Sequence, residues 1–468
     1  MMTKWIFLSM FSFATSIVAS KEKSPNIILI FIDDFGYGDL GCYGNTLNRT
    51  PHIDKMAEDG VRLTDFYVGS SVSSPSRAAL MTGCYPKRIS MHVNADPVPL
   101  MGKSRQVLFP ISMKGLNPSE ITIAEVLKQG GYSTACIGKW HLGDQLCFLP
   151  TKQGFDYFYG LPYSHDMGKD YCALPLMEQN SVIEAPVGSD SLTYKLTIKA
   201  QQYIRDNKKK PFFLYLAHCM THKPLDASPQ FKGHSKNGIY GDAVEELDWS
   251  VGEILKTLKE VEIFDNTLII FTSDNGAARG AGGSNKPLRG WKAETYEGGF
   301  RVPCIIHYPK EIQGNQVNHN IITSMDLLPT IASYCQVELP NNLVIDGRDI
   351  SLVLEGKKNV TDKRVFYYYQ RNQLQAVRFG KWKYHLGLKQ RLCNAASDKM
   401  EDVSPKLYNL ETDISESVNV LKENQSIEKV MLDLIKQVQN DLGDWNIEGK
   451  NVRPAGFIDE PFGRFVKK

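Results

Sequence analysis

Two pairs of residues with oxygen-bearing side chains follow apolar runs of the chain. Asp33 and Asp34 come directly after the run NIILIFI, and Asp274 and Asn275 come directly after TLIIFTS. In open parallel sheets ligands bind at the carboxyl ends of the strands, where these pairs would meet. Four oxygen ligands without a soft one favour Ca²⁺ or Mg²⁺ over zinc or copper. Either pair taken alone is also typical of a turn or a helix cap.

The third candidate feature is a serine-rich segment followed by a short helix. The two together have the sequence SSVSSPSRAALMTG, and the pattern predicts a helix that ends at Gly83, with Ser73 just before its first turn. The backbone N–H groups and dipole of a helix N-terminus favour an anion. Arg77 follows one turn later and could hold a group carried by Ser73. The alternative is an ordinary serine-rich loop that caps a helix.

Several blocks of the sequence together resemble the sulfatase family. The segment SSPSRAALMTG resembles the first sulfatase signature, and GYSTACIGKWHLG resembles the second. Further blocks follow in the family's order between residues 26 and 303, and one more lies at 407–413: DDFGYGDLGCYGN, THKP, SDNG, TYEGG and LYNLETD. The block PYSHDMG is similar to the arylsulfatase A branch. The resemblance implies an alkaline-phosphatase-like α/β fold and hydrolysis of sulfate monoesters.

The resemblance assigns a nucleophile and a metal site. Ser73 matches the position that sulfatases oxidise to formylglycine (3-oxoalanine), whose hydrated aldehyde attacks the ester. A simple serine would form a stable sulfate ester, whereas a geminal diol keeps a second hydroxyl whose deprotonation expels sulfate. The implied cofactor is a calcium ion, and its implied ligands are Asp33, Asp34, Ser73, Asp274 and Asn275.

The resemblance also assigns cationic and polar contacts to the sulfate group. Arg77 matches the residue that steadies the formylglycine, and Lys139 and Lys292 match the lysines that bind sulfate oxygens. Ser164 matches a further polar contact of the arylsulfatase A branch. A divalent cation and these basic groups would neutralise the charge of a sulfate ester. Taken alone, Lys139 could equally be a solvated lysine with its stem on Trp140.

Two histidines match the family's proton-transfer residues. His141 matches the histidine paired with the formylglycine hydroxyl, and His222 matches the one that protonates the leaving oxygen. An alkoxide leaving group needs a general acid, and histidine suits neutral pH. Both could instead be structural, and His218, four residues before His222, is an alternative candidate.

The residue at the nucleophile position and the N-terminus point to an exported bacterial protein. Family knowledge implies that a Ser-type sulfatase is matured by a radical iron–sulfur enzyme, because the Cys-specific oxidase would not act on Ser73. Lys4, an apolar run and small residues up to Ser20 predict a signal peptide over 1–20. We therefore expect a periplasmic or secreted protein. Cys84, where many members have arginine, is a second departure from the family pattern.

The remaining pattern predicts elements that position these residues. Apolar runs at 26–32, 133–138, 211–217, 267–273 and 303–308 alternate with amphipathic segments, which predicts an α/β fold with a mostly parallel sheet. Thr50 is expected to cap one helix, and Thr122 with Glu125 forms a capping-box pattern before another. Strand-like runs after about residue 356 predict a smaller C-terminal α+β domain with an antiparallel sheet. We expect a catalytic domain over 21–356 and this second domain over 357–468.

Composition limits the classes of function. The chain has 468 residues, 54 basic and 52 acidic, and a net charge of +2, which gives no reason to expect a nucleic-acid partner. No internal run is apolar enough to predict a membrane span once the leader is cleaved. Nine cysteines without a CxxC spacing argue against zinc or redox sites, although Cys147 and Cys172 could pair.

The expected substrate is a sulfated glycan or a small sulfate ester. The PYSHD block suggests O-sulfate on galactose or N-acetylgalactosamine units, and the candidate sugar contacts are His165, Asp166, Asp170, Tyr171 and Arg289. Two alternatives stay open. One is a phosphomonoester or phosphonate hydrolase of the same fold, and the other is an unmatured pseudoenzyme that binds sulfated glycans without turnover.

Overall fold

A computed structural model of the chain describes residues 24–93, 106–168, 173–358, 364–391 and 400–463. The expected leader and the candidate sugar contacts Asp170 and Tyr171 lie outside these ranges. Cys172 also lies outside them, and Cys147 is a free thiol. Among the described helices, none is both long and apolar enough to cross a membrane.

A ten-stranded mixed sheet forms the centre of the molecule. Its five central strands run parallel, while antiparallel pairs occur towards both edges. The run expected at 303–308 forms one of these antiparallel strands. In order across the sheet, the strands are Gln316–Asn318, Val61–Leu63, Cys304–His307, Thr267–Ser273, Asn26–Ile32, Phe212–Ala217, Ser133–Lys139, Tyr157–Leu161, Leu176–Glu178 and Ser181–Glu184.

Helices cover both faces of this sheet. Every residue of Asn26–Ile32 is buried, and its alternate side chains belong to two different apolar clusters. A strand that is covered on both faces has a continuous apolar sequence, which explains why the sequence pattern predicted it. The α-helices of the described residues are Pro51–Glu58 (α1), Ser73–Thr82 (α2), Ile123–Gln129 (α3), Leu192–Asn207 (α4), Gly238–Glu260 (α5), Glu297–Phe300 (α6), Leu327–Tyr334 (α7), Ser351–Leu354 (α8) and Gln425–Asp441 (α9).

Helix ends follow the sequence signals in three places. Thr122 and Glu125 form the expected capping box of α3. Gly83 ends α2 in the left-handed conformation, with φ of 67°, which glycine adopts without steric cost. Thr50 is the N-cap residue of α1 with Pro51 at the first helical position, as expected, but its hydroxyl makes no capping hydrogen bond, because it accepts from the Gly41 N–H and donates to Asp54.

A four-stranded antiparallel sheet forms the C-terminal region, as expected, and α9 packs against it. Its strands are Val365–Gln370, Gln373–Phe379, Trp382–His385 and Lys406–Asn409. Side chains of this sheet and of preceding segments share one apolar cluster, in which Tyr67 and Phe300 pack on Phe366. The α/β fold with a C-terminal antiparallel sheet is thus confirmed, whereas the domain boundary after residue 356 stays a prediction.

Short elements complete the described chain. Two-residue to four-residue strands pair as Phe66–Tyr67 with Ile322–Thr323, Leu388–Arg391 with Met400–Val403, Gly443–Asp444 with Ile447–Glu448, and Lys114–Gly115 with Gly456–Phe457. The 3₁₀ helices are Gly41–Tyr43, Leu146–Phe148, Pro150–Lys152, His165–Gly168, Ser189–Ser191, Phe264–Asn266 and Ser324–Asp326.

Candidate active site

Strand register brings the acidic residues together. Ile32 and Ser273 are partners in adjacent parallel strands, so Asp33 and Asp274 leave the sheet side by side. The carboxylates of Asp33, Asp34 and Asp274 are all buried, and one oxygen of each lies within 4.8 Å of the others. The meeting of the acidic pairs at one sheet edge follows from this register.

Ser73 lies between two of these carboxylates. Ser73 is the first residue of α2, so the helix begins one residue earlier than the sequence predicts. The Ser73 side chain is buried. Its Oγ is 3.0 Å from Asp33 Oδ1 and 2.5 Å from Asp274 Oδ2. Lys139 Nζ lies 3.3 Å from the same Oγ. The serine hydroxyl therefore occupies the centre of the cluster.

Two fully buried cations hold the carboxylates around Ser73. Arg77 Nη2 lies 2.9 Å from Asp274 Oδ2, and Lys139 Nζ lies 2.5 Å from Asp33 Oδ2. Burial alone would raise the pKa of Asp33, but the charges of Lys139, His222 and Arg77 hold it well below its usual range. Asp33 is therefore an anion in the folded protein, and it can act as a charged ligand.

A second lysine pairs with the remaining acid. Lys292 Nζ lies 2.7 Å from Asp34 Oδ1, and the amide of Asn275 donates to the same carboxylate at 2.8 Å. Opposing the effect of burial, the charge of Asp34 raises the pKa of Lys292. Lys139 donates to Ser164 Oγ at 3.2 Å, which places that serine at the edge of the cluster.

The donor set fits a hard divalent cation. Asn275 Oδ1 is buried and has no hydrogen-bond partner, although buried amide oxygens normally have one. Burial and the neighbouring charge of Asp33 raise the pKa of Asp274 to about 6. A cation beside these oxygens would relieve both costs. The donors are carboxylate, amide and hydroxyl oxygens, which are the ligands that Ca²⁺ prefers.

His141 lies next to the cluster as a neutral imidazole. Its Nε2 is 2.9 Å from the Leu108 carbonyl, so Nε2 carries the proton and Nδ1 is an acceptor. Nδ1 is buried without a hydrogen-bond partner. Burial, and then the charges of Lys139 and Arg77, lower the pKa of His141 well below its usual range. The residue can accept a proton but is not charged at rest.

His222 faces the cluster from the segment after the strand Phe212–Ala217. Its Nδ1 lies 2.6 Å from the Lys223 carbonyl, and its Nε2 lies 3.8 Å from Asp34 Oδ2. Two candidate sugar contacts lie beside it. The His165 ring packs edge-on at 5.7 Å, and an oxygen of Asp166 is 4.0 Å from Nδ1.

Two other candidates lie elsewhere. The alternative histidine His218 is buried, its Nε2 lies 3.1 Å from Ser250 Oγ, and burial lowers its pKa to about 3. It therefore faces α5 rather than the carboxylate cluster. Arg289 donates to the Glu416 carbonyl at 2.8 Å and stacks on Tyr296, so its charge is directed at the C-terminal region.

Comparison with known proteins identifies the family. The sulfatase family model matches residues 25–337, and a model described as N-sulphoglucosamine sulphohydrolase, C-terminal, matches residues 290–443. This chain belongs to the sulfatase family. Human arylsulfatase A is 36% identical over 456 residues, covering 89% of this chain and 87% of that protein. The protein is a sulfuric ester hydrolase related to arylsulfatase A.

Two further relatives of this sulfatase carry sugar-related descriptions. Rat N-acetylgalactosamine-6-sulfatase is 39% identical over 391 residues, covering 79% of this chain and 73% of that protein. A solved chain described under metabolism of multiple glycosaminoglycans by Bacteroides thetaiotaomicron has a TM-score of 0.76 and 29% identity. It covers 89% of this chain and 99% of that chain.

Three contacts in the sulfatase site were not predicted from the sequence. Tyr215 OH binds Arg77 Nη1 at 3.2 Å, and the Leu108 carbonyl binds His141. Thr221 donates its N–H to the Asp33 carbonyl at 2.8 Å, which ties the segment of His222 to the carboxylate cluster. Two of these contacts use backbone groups, which every residue carries. Thr221 opens the THKP block, and its hydroxyl was the one available clue.

Proposed function

We propose that this sulfatase removes O-sulfate from galactose or N-acetylgalactosamine units of glycans. In this proposal the nucleophile is a formylglycine made from Ser73, and the cofactor is one calcium ion. The observation that carries the proposal is the position of the Ser73 hydroxyl. It lies between Asp33 and Asp274 and within 3.3 Å of Lys139 Nζ.

The calcium ion would be held by the buried oxygens at the two strand ends. Its ligands would be Asp33, Asp34, Asp274, Asn275 and the modified side chain at Ser73. When bound, the ion supplies positive charge to the sulfate oxygens and favours the ionised form of the nucleophilic hydroxyl. The partnerless Asn275 Oδ1 supports this assignment.

The basic residues of the cluster would bind and orient the sulfate group. Lys139 pairs with Asp33 and lies 3.3 Å from Ser73 Oγ, and Lys292 pairs with Asp34 of the same carboxylate cluster. Arg77 would hold the nucleophile in place through its contacts with Asp274 and Tyr215. Fixed charges of this kind stabilise charge that develops in the transition state without reorganisation.

The two histidines would move protons at opposite ends of the reaction. His141 keeps Nδ1 unprotonated because Nε2 donates to a carbonyl, and it would accept the proton of the nucleophilic hydroxyl. His222 donates Nδ1–H to the Lys223 carbonyl, so its Nε2 is the atom that would protonate the leaving oxygen. Ser164 would add a polar contact through Lys139.

The sugar specificity rests on the relatives and on the residues beside His222. The relative named N-acetylgalactosamine-6-sulfatase supports a galactose-type ring. His165 and Asp166 lie next to the proposed acid and would contact that ring. We further propose that the protein is bacterial and periplasmic or secreted, and that a Ser-type formylglycine-generating enzyme matures it.

Mass spectrometry of one tryptic peptide tests the nucleophile. Protein from the native host is digested, and the peptide LTDFYVGSSVSSPSR, residues 63–77, is analysed. Conversion of Ser73 to the aldehyde removes two hydrogen atoms. Detection of this loss at Ser73 would support the proposal. An unmodified Ser73 in active protein would contradict it, and an unmodified Ser73 in inactive protein would favour the pseudoenzyme.

A substrate panel tests the specificity. The matured protein is assayed with galactose and N-acetylgalactosamine sulfated at single positions, with glucosamine sulfates, and with matched aryl sulfate and aryl phosphate esters. We expect hydrolysis of a galactose-type sulfate. Faster turnover of the phosphate ester would favour the phosphatase alternative, and a preference for glucosamine sulfates would contradict the proposed sugar.

A further inference from the structure

A glutamine of the C-terminal sheet reaches the catalytic region. Gln370 is the last residue of the strand Val365–Gln370 and is 5% exposed. Its side-chain Nε2 donates to the Ala293 carbonyl at 2.7 Å, and its Oε1 accepts from Gln106 Nε2 at 2.9 Å. Both hydrogen-bonding ends of this amide are therefore used, and they join two segments that are distant in sequence.

The first of these segments carries a sulfate-binding candidate. Ala293 directly follows Lys292, whose ammonium group lies 2.7 Å from Asp34 Oδ1. The N–H of Lys292 binds the Ala277 carbonyl at 3.0 Å, and the N–H of Ala293 binds the Ser71 carbonyl at 2.9 Å. The Ala293 carbonyl is the next backbone group along the chain, and Gln370 is its side-chain partner.

Ala293 has a backbone conformation that needs such support. Its φ is 68°, in the left-handed region that residues with a Cβ rarely adopt. Strained residues of this kind persist where surrounding contacts over-determine them, and they cluster at functional sites. Here the contacts on its N–H and its carbonyl fix both adjoining peptide groups. One of these contacts comes from the C-terminal sheet.

The second segment fixes the orientation of the glutamine itself. Gln106 precedes Leu108 by two residues, and the Leu108 N–H donates to Ser74 Oγ at 3.1 Å. An amide that accepts from Gln106 must present its NH₂ group to Ala293. Glutamine is the fitting residue, because glutamate of the same shape has no proton to donate to a carbonyl.

We propose that Gln370 is a positioning residue that holds Lys292 in place through the Ala293 carbonyl. This inference rests on the sulfate-binding role proposed for Lys292. Gln370 does not touch substrate in this scheme. It keeps the strained turn in the geometry that aims the ammonium group at the site.

Steady-state kinetics on matured protein tests the inference. We expect Gln370→Ala and Gln370→Glu each to lower kcat/KM for an aryl sulfate by about tenfold or more, because small displacements of binding groups are costly. Gln370→Glu keeps the acceptor for Gln106, but it replaces the donor to Ala293 with a carboxylate oxygen and adds a negative charge. Unchanged kcat/KM in both variants would overturn the proposal.

A matched amide in the same region controls for stability. Gln439 on α9 donates to Asp444 Oδ2 at 3.0 Å and touches neither catalytic segment in the described structure. We expect Gln439→Ala to leave kcat/KM within about twofold of the wild type, as is usual for substitutions away from a site. Thermal midpoints of all variants are measured in parallel. A loss of kcat/KM in Gln439→Ala as large as that in Gln370→Ala would overturn a specific role.

A double-mutant cycle separates the two proposals. Lys292→Ala alone reports on the role of Lys292, and full activity in that variant would contradict the proposed function. Gln370→Ala is then added in the Lys292→Ala background. If Gln370 acts through Lys292, the second substitution costs little there, because the two losses are not additive. The same fold-loss in both backgrounds would overturn the positioning role while leaving the role of Lys292 intact.

Discussion

Two buried clusters of charge lie in this sulfatase, and they differ in how completely their polar atoms are paired. Each contains three carboxylates and three cationic side chains. The active-site cluster consists of Asp33, Asp34, Asp274, Arg77, Lys139 and Lys292. The Glu297 cluster consists of Asp65, Glu297, Glu416, Arg301, Arg378 and Lys383, and it joins the catalytic region to the C-terminal sheet.

The Glu297 cluster is closed, which means that each of its buried polar side-chain atoms has a hydrogen-bond or ion-pair partner. Lys383 Nζ lies 3.0 Å from Glu297 and 2.9 Å from Glu416, and Tyr368 OH donates to Glu297 at 2.7 Å. Within the described residues, none of the buried side-chain atoms of this cluster lacks a partner. The active-site cluster, by contrast, leaves Arg77 Nε and the adjoining Asn275 Oδ1 without one.

This difference separates structural charge from functional charge. Buried polar atoms are nearly always paired, so atoms without a partner indicate where a ligand completes the site. A closed cluster contributes to the fold, and removing one member leaves its partners uncompensated. The two clusters should therefore respond differently to ligand removal and to substitution.

Metal removal should have the largest effect, and it should act on the active-site cluster alone. We expect a calcium chelator to lower sulfatase activity by at least about a hundredfold, because the proposed ion would supply several kcal/mol of charge stabilisation. Activity is measured before chelation, after it, and after Ca²⁺ is restored. Undiminished activity after verified removal of all divalent metal would contradict the assignment of the oxygen ligands.

Two histidines four residues apart offer a second test. We expect His222→Gln to lower kcat by about a hundredfold or more, the usual contribution of a general acid. His218→Gln should lower kcat by less than about threefold, because His218 faces Ser250 and acts in packing. An aryl ester with a very good leaving group should reduce the effect of His222→Gln. Equal losses in the two variants would refute the distinction.

Substitution in the Glu297 cluster should affect stability. We expect Glu297→Gln to lower the free energy of unfolding by about 3–5 kcal/mol, because buried cations lose their partner. Urea unfolding at neutral pH measures this. The control is Glu411→Gln, whose partner Lys381 lies 3.3 Å away on the surface, and it should cost less than about 1 kcal/mol. Similar costs for both substitutions would show that the cluster is not closed.

The smallest expected effect is on the pH dependence of the free energy of unfolding. Burial alone would raise the pKa of Glu297, but Lys383, Arg378 and Arg301 lower it well below its ordinary value of 4.5. Below that value the unfolded chain takes up a proton that the folded protein does not. The free energy of unfolding therefore falls as pH decreases, by up to about 1.4 kcal/mol per pH unit from this group.

Comparison of wild type with Glu297→Gln isolates this contribution. The free energy of unfolding is measured by urea titration between about pH 5 and pH 3, a window that extends from just above the unfolded pKa to well below it. We expect the wild type to lose stability more steeply than the variant over this window. Parallel curves would mean that the Glu297 carboxylate does not stay ionised in the folded protein.

Sequence reasoning predicted those parts of the site that follow from sheet register. Asp33 and Asp274 come after equal apolar runs, and Ile32 pairs with Ser273, so strand ends in sequence became neighbours in space. Ser73, Lys139 and their neighbours were assigned from the family resemblance, and their catalytic roles stay predictions.

Contacts that depend on loops and backbone groups could not be predicted from the sequence. The Thr50 hydroxyl binds Gly41 instead of capping α1, because a neighbouring loop competes for it. The antiparallel direction of Cys304–His307 depends on the path of the preceding segment rather than on its apolar pattern. In the Glu297 cluster, Glu297 pairs with Lys383, which lies 86 residues away in sequence, and single-residue patterns carry no information about such pairs.

The burial of α2 determines when Ser73 is accessible to another enzyme. All ten residues of this helix are buried, and Ser73 is 2% exposed at its start. Under the formylglycine proposal, a maturing enzyme would have to reach the Ser73 side chain while this helix is still unfolded. The modification would then have to precede folding, and a chain that folds first would keep an unmodified serine. The relative rates of modification and folding would set the amount of active protein.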